Sequence, residues 1–293
     1  MADNANGLAQ LERIRERALS EQETAILQAL GLAMRPGVLD AAADAARRLD
    51  SLCPPLECDQ EVRNYIWAVW GVMFSIAASS NAQDQVHFAL VAVLQELQNT
   101  TRGQLSVGER YFVWEDLPDI ATAFDAYYAD PVYEGPEQTE RFAQNWHQLA
   151  RFGARAFAAR LLAPDYDIML SIESGLEHDL NARPVAEMMQ AEWSIKLACA
   201  WLSHGSAIPM LEWAMENMED GNAERRVNNF TPGPLYHGSD LVSPERWEFW
   251  LYRLDQLANQ ESGLSQEIRQ SALDAAQAMR EAGKALAGAV VSI

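Results

Sequence analysis

Apolar residues recur along this chain at intervals of three and four. Val62, Ile66, Val69, Met73 and Ala77 form one such series, and Ile168, Ile172, Leu176 and Leu180 form another. This spacing gathers side chains on one face of a helix, and no sustained alternation marks a half-buried strand. Pro36, Pro54, Pro55, Pro131, Pro136, Pro164, Pro184, Pro209, Pro232 and Pro234 fall between the periodic segments or at their starts, where a residue lacking an N–H is tolerated. The pattern predicts helices over 8–31, 37–51, 58–79, 82–99, 105–113, 117–129, 137–162, 166–181, 184–203, 207–219, 244–260 and 265–287. The expected fold class is therefore all-α, an irregular antiparallel multi-helix array or bundle of about ten to twelve helices. A single domain over 1–293 is expected, with N-terminal helices in 1–55 and a core at 56–287. No fixed repeat period supports a regular solenoid. The stretch from Asp220 to Val242 is long for a structureless connection, which makes it a functional candidate.

That stretch leads into "NNFTPGPLYHGSDLVSPERWEFWLYRL", residues 228–254. Ser243 reads as a helix N-cap, Pro244 as the first helical residue and Glu245 as first-turn negative charge. Trp247, Trp250 or Leu251, Leu254 and Leu257 make the apolar face, and Arg246 lies one turn before Trp250, within reach of its indole or of a carboxylate. Helix initiation does not explain "GPLYHG". There His237 is the candidate proton donor or acceptor, and Tyr236 is placed to orient a carbonyl. His204 follows the stripe Met189, Trp193, Leu197 and Trp201 and precedes Gly205. It reads as a helix C-terminal histidine and, alternatively, as a third catalytic candidate. Trp67, Trp70, Trp201 and Trp247 are the candidate substrate-binding wall, although the same residues suit a helical core.

Cofactor and metal motifs are sparse. "WEDLPDI" supplies Glu115, Asp116 and Asp119 at a spacing similar to the magnesium-binding motif of terpene cyclases, but Pro118 does not belong inside a helix. Asp116 is read instead as an N-cap and Asp119 as a complement to the positive helix end. Cys53 and Cys58 flank two prolines without a second ligand pair, so no zinc site is expected. Glu173 and Glu177, beside His178, fall opposite the stripe of Ile168 and Leu176, which predicts a solvated face. No phosphate loop, nucleophile elbow or dinucleotide fingerprint is present. No cofactor and no metal are expected.

Charge narrows the partners. With 22 basic and 42 acidic side chains, the net charge of −20 opposes binding to nucleic acid or anionic lipid. Three cysteines in a long chain favour reduced thiols and a cytoplasmic location. The polar N-terminus has no signal-peptide pattern. The apolar run Tyr65–Ala78 is shorter than the roughly 18–20 residues a membrane span requires.

The chain resembles a fungal family known as domain of unknown function 3632. The likeness rests on "AQDQVHFALVAVLQEL", "VWEDLPDI", "NWHQLARFGARAFAARLLA", "KLACAWLSHG", "GPLYHG" and "SPERWEFW". The resemblance implies a helical intracellular protein of fungal origin, and a role near natural-product genes, with no catalytic residues to carry over. The expectation is a cofactor-independent enzyme of cyclase, isomerase or lyase type, holding an apolar small-molecule intermediate in an aromatic-lined helical pocket. The alternative is a non-catalytic helical interaction or small-molecule-binding protein, with a protein partner or homodimer. A magnesium-dependent prenyl diphosphate enzyme is the third reading.

Overall fold

The stripe that opens the sequence is the innermost surface of its helix: Val62, Ile66, Val69, Met73 and Ala77 are all at most 1% exposed. The computed structural model describes residues 19–79, 84–105, 111–128, 136–162, 166–179, 188–212, 231–239, 242–259 and 263–290. Ten helices are found among them: α1 (Glu21–Ala33), α2 (Ala41–Leu52), α3 (Asp59–Ala78), α4 (Asp84–Gln98), α5 (Ile120–Tyr128), α6 (Pro136–Ala158), α7 (Tyr166–Leu176), α8 (Met188–Leu202), α9 (Pro244–Ala258) and α10 (Gln266–Val290). Residues 207–212 are helical as well. The fold is all-α, a multi-helix array. It divides into two compact units, Met1–Phe152 and Gly153–Ile293, and the division falls within the sequence of α6.

In the first unit α1 packs against α2, α3 and α4, while α3 also meets α5. Edge-on aromatic pairs fill the core, with Phe74 at 5.5 Å from Phe124 and Trp70 at 6.4 Å from Trp114. Arg102 ties down the end of α2: Nη1 donates to the Asp50 carbonyl (2.7 Å) and carboxylate (2.8 Å), and Nη2 to the carbonyls of Cys53 (2.7 Å) and Pro54 (3.0 Å). Trp114 Nε1 donates to the same Asp50 carboxylate at 2.8 Å. A guanidinium at a helix C-terminus supplies donors to orphan carbonyls and complements the dipole.

The second unit is built from α7 on α8, α8 on α10, and α9 on both α10 and α7. Ile168, Ile172 and Leu176 are buried as their spacing predicts.

Three local expectations need correction. The helix expected over 8–31 is not continuous, because Ser20 adopts an extended N-cap conformation and forms a capping box with Glu23; residues 1–18 lie outside the described residues. The helix expected over 105–113 is replaced at its described ends by a short antiparallel pairing of Gln104–Leu105 with Tyr111–Phe112. Asp116 is not an N-cap: its carboxylate accepts from the Phe112 N–H at 2.6 Å. The helix starts after Asp119, whose carboxylate accepts from Trp67 Nε1 at 3.2 Å. Left-handed φ values of 44° at Leu117 and 59° at Asp119 turn the chain around Pro118, which delays the helix. Most of the expected helix over 207–219 lies outside the described residues.

Close packing of α7 on α8 depends on Gly175. A Cβ there would stand 2.4 Å from the Ser194 carbonyl oxygen and 2.7 Å from the Ala198 Cβ. Gly175→Ala is expected to cost about 1–3 kcal/mol through overpacking. In α10, where a Cβ on Gly283 meets nothing within 4 Å, Gly283→Ala should instead gain roughly 0.5–1 kcal/mol from reduced chain entropy. Urea denaturation of the two variants measures both signs.

Candidate functional site

Glu177 sits just past the end of α7, its N–H still donating to the Glu173 carbonyl at 2.8 Å. The face expected to be solvated is covered: Glu177 is 0% exposed. An isolated carboxylate in such a place costs several kcal/mol in lost hydration. Four donors offset that cost. Oε1 accepts from Arg246 Nε (2.6 Å) and Trp250 Nε1 (2.7 Å), and Oε2 from Arg246 Nη2 (2.9 Å) and the Gly233 N–H (2.8 Å). The Glu177 carbonyl also accepts from the Leu235 N–H at 2.9 Å.

Each partner is delivered by local sequence. Ser243 caps α9 as expected, accepting from the Arg246 N–H at 3.2 Å, and Pro244 follows as the first helical residue. The hydrogen bond from Ser243 also holds the exposed Glu245 carboxyl below its ordinary pKa. Arg246 and Trp250, one turn apart, then face the same carboxylate. Gly233 comes so close to α7 that a Cβ would be 2.6 Å from the Glu177 Cβ and 2.7 Å from Glu173 Oε1. The strap of residues 231–239 is thus pinned by its backbone, with a turn from the Gly233 carbonyl to the Tyr236 N–H at 3.1 Å.

Beside this saturated pair lies a second, more accessible one. His178 Nε2 is 2.8 Å from Glu173 Oε1, with the two side chains 35% and 13% exposed. A carboxylate only accepts, so Nε2 is the ring nitrogen that donates to it. Ser174 Oγ donates to Glu173 Oε2 at 3.3 Å. Arg253, two turns beyond Arg246 on α9, brings Nη2 to 3.4 Å from the His178 carbonyl. A histidine oriented by a carboxylate is able to take a proton from a bound molecule and return it, whereas Glu177, with every lone pair occupied, is not.

The residues singled out from sequence take separate places. Tyr236 is 7% exposed. Its ring lies 5.2 Å from the Arg246 guanidinium and 5.2 Å from the Phe249 ring, and its buried hydroxyl makes no hydrogen bond. His237, the next residue, is exposed. His204 is exposed too, with φ of 54° after the end of α8, and its Nδ1 accepts from Arg155 Nη2 at 3.2 Å. Trp247 packs 6.4 Å from Trp250, and Trp201 is wholly buried. Trp67 and Trp70 belong to the first unit, where the Trp70 indole donates to the Pro118 carbonyl at 2.9 Å. Glu173, His178 and Arg253 were missed as a group. The available signal was an arginine on the apolar face of α9, which demands a buried carboxylate elsewhere.

Burial pushes the Cys53 thiol up to about 11 and the Cys199 thiol up to about 12, which leaves little nucleophilic thiolate near neutrality. Among the described residues no group of three or more His, Cys, Asp or Glu is placed to hold a metal ion. Nor is any helix among them long and apolar enough to cross a membrane.

Replacing Glu177 by Gln removes the buried carboxylate that Arg246 Nε and Nη2 grip, and a loss of about 3–5 kcal/mol is expected. Trp250→Ala is expected to cost a similar roughly 3–5 kcal/mol, chiefly through lost packing. Trp250→Phe keeps most of the ring and removes one donor, so its cost should be nearer 1–3 kcal/mol. Equal losses for the Phe and Ala variants in denaturant titrations would contradict the packing role.

No curated protein and no solved structure matches this chain. The model of the family described as protein of unknown function (DUF3632) matches residues 70–254, more than half of the sequence. The match takes in the aromatic core of the first unit and the Glu177, strap and α9 assembly of the second. The chain belongs to that family.

Proposed function

We propose that the protein is a cofactor-independent acid–base enzyme, of isomerase, cyclase or lyase type, that acts on a largely apolar small molecule through His178. The observation that carries this reading is the 2.8 Å contact between Glu173 Oε1 and His178 Nε2. It fixes one tautomer of a partly accessible imidazole next to a rigid, dehydrated ion pair. Such a group moves a proton between two carbons or two oxygens of one substrate without an external redox partner. Tyr236, with a buried hydroxyl, and Trp247 remain candidates for contact with the substrate. Among the described residues no carboxylate orients the exposed His237 as Glu173 orients His178. A natural-product intermediate as substrate rests on the family resemblance alone.

The exposed Phe88, Tyr252 and Leu39, at 59%, 61% and 90%, favour a second reading as a helical interaction protein, although singly scattered apolar side chains are ordinary on surfaces.

Metabolite profiling of a deletion strain complemented with variants separates the two. His178→Ala should fold normally yet lower formation of the missing product by roughly 10²-fold or more. Glu173→Gln should lower it less and, in ¹⁵N spectra of the purified protein, should change the tautomer balance of His178. Full complementation by His178→Ala removes the acid–base reading and leaves the interaction protein.

A further inference from the structure

We infer that the exposed rings of Trp67 and Tyr127, with the Asp119 carboxylate bonded to the first of them, form a docking surface for a basic segment of another protein. This surface belongs to the first unit and does not depend on the acid–base reading of His178.

Trp67 and Tyr127 are 38% and 41% exposed. Trp67 stands on the outer side of α3, and Gly71 follows it by one turn. Tyr127 reaches across from α5 to cover Gly71: a Cβ there would lie 2.8 Å from the Tyr127 hydroxyl oxygen and 3.6 Å from its Cζ. The Tyr127 ring also lies 5.8 Å from the ring of Phe74, edge-on. The two exposed rings therefore occupy successive turns along α3.

Asp119 supplies charge beside the first ring. Its Oδ2 accepts from Trp67 Nε1 at 3.2 Å, which orients the indole, while among the described residues Oδ1 takes no hydrogen bond. The turn at Asp119 does not need this tie, because Trp70 already holds it from the buried side through the Pro118 carbonyl at 2.9 Å. A purely structural Trp67 accounts for the indole bond but leaves the exposed ring face and the open carboxylate oxygen without a use. A lysine or arginine uses both, pairing its charge with Oδ1 while its stem or guanidinium rests on the indole.

Charge complementarity selects the occupant. From Val113 to Tyr128 the chain carries Glu115, Asp116, Asp119 and Asp125 and no basic residue, and on α3 Arg63 stands against Asp59 and Glu61. The net charge of −20 draws a basic partner at long range and repels a second copy of the same chain. Tryptophan and tyrosine are the side chains that most often anchor protein contacts. Exposed rings on an open helix face suit a polypeptide laid across them, whereas a small molecule needs enclosure.

The test follows the indole N–H resonance of Trp67 in the full ¹⁵N-labelled chain, identified by its absence in Trp67→Phe. The probe is an alternating lysine–glycine octapeptide, compared with the same peptide acetylated on every lysine. The basic peptide should shift the Trp67 resonance saturably, and acetylation should weaken binding by about tenfold or more. Asp119→Asn keeps an oxygen to accept from the indole and a side chain that tolerates the left-handed φ of 59°, so it should melt close to the parent. It should nevertheless bind the basic peptide about tenfold more weakly. Glu248→Gln removes the same charge from an exposed position in the second unit and should weaken binding less than about twofold. Equal weakening by the two variants marks diffuse attraction to an acidic chain and overturns the inference. An unshifted Trp67 resonance, undiminished binding by Asp119→Asn, or equal binding of the acetylated peptide overturns it as well.

Discussion

A carboxylate removed from water governs the second unit. Glu177 is tolerable at 0% exposure only because a guanidinium, an indole and a backbone amide together fill its lone pairs. These donors come from α9 and the strap, while the carboxylate itself hangs from the end of α7. One electrostatic requirement therefore sets three segments in register, and the conformation of the neighbouring residues follows. Glu173 is held one turn before Glu177, His178 directly after it, and Gly233 is forced against both glutamates.

The first unit solves a similar problem in a similar way. Asp50 accepts from Arg102 and from the Trp114 indole, again at the end of a helix. Arg102 Nη1 and Nη2 also reach the carbonyls of Asp50, Cys53 and Pro54, at and just after the end of α2. Asp50 and Arg102 keep 30% and 20% side-chain exposure, against 0% and 1% for Glu177 and Arg246, so screening makes the first pair the weaker of the two. In both units an arginine, a carboxylate and a tryptophan join segments distant in sequence, a use of polar groups that adds geometric specificity to an apolar core.

For function, the contrast between neighbouring groups matters most. Glu177 and Arg246 have spent their bonding capacity on structure, while His178, next to them, keeps a partly accessible imidazole. In the proposed function, the rigid, saturated ion pair supports a partly accessible imidazole whose orientation is set before a substrate binds.

The all-helical class, the buried stripes of α3 and α7, the Ser243 cap with Pro244, and Arg246 beside Trp250 were legible because they depend on spacing of a few residues. Asp116 was misread because left-handed turns at Leu117 and Asp119 delay the helix, and the segment after Gln104 because its described ends pair with one another as short strands. The face bearing Glu173 and Glu177 was misread for a different reason. Helical periodicity reports one apolar stripe per helix and is silent about a third segment that covers the opposite side with polar atoms. Arg246 lies 69 residues from Glu177, and no local pattern links them. The sequence by itself determined which residues form helices and which side of each helix is apolar. Only the tertiary structure decided that a glutamate on a polar face would be dehydrated, because the free energy of a buried charge depends on the donors that folding brings to it.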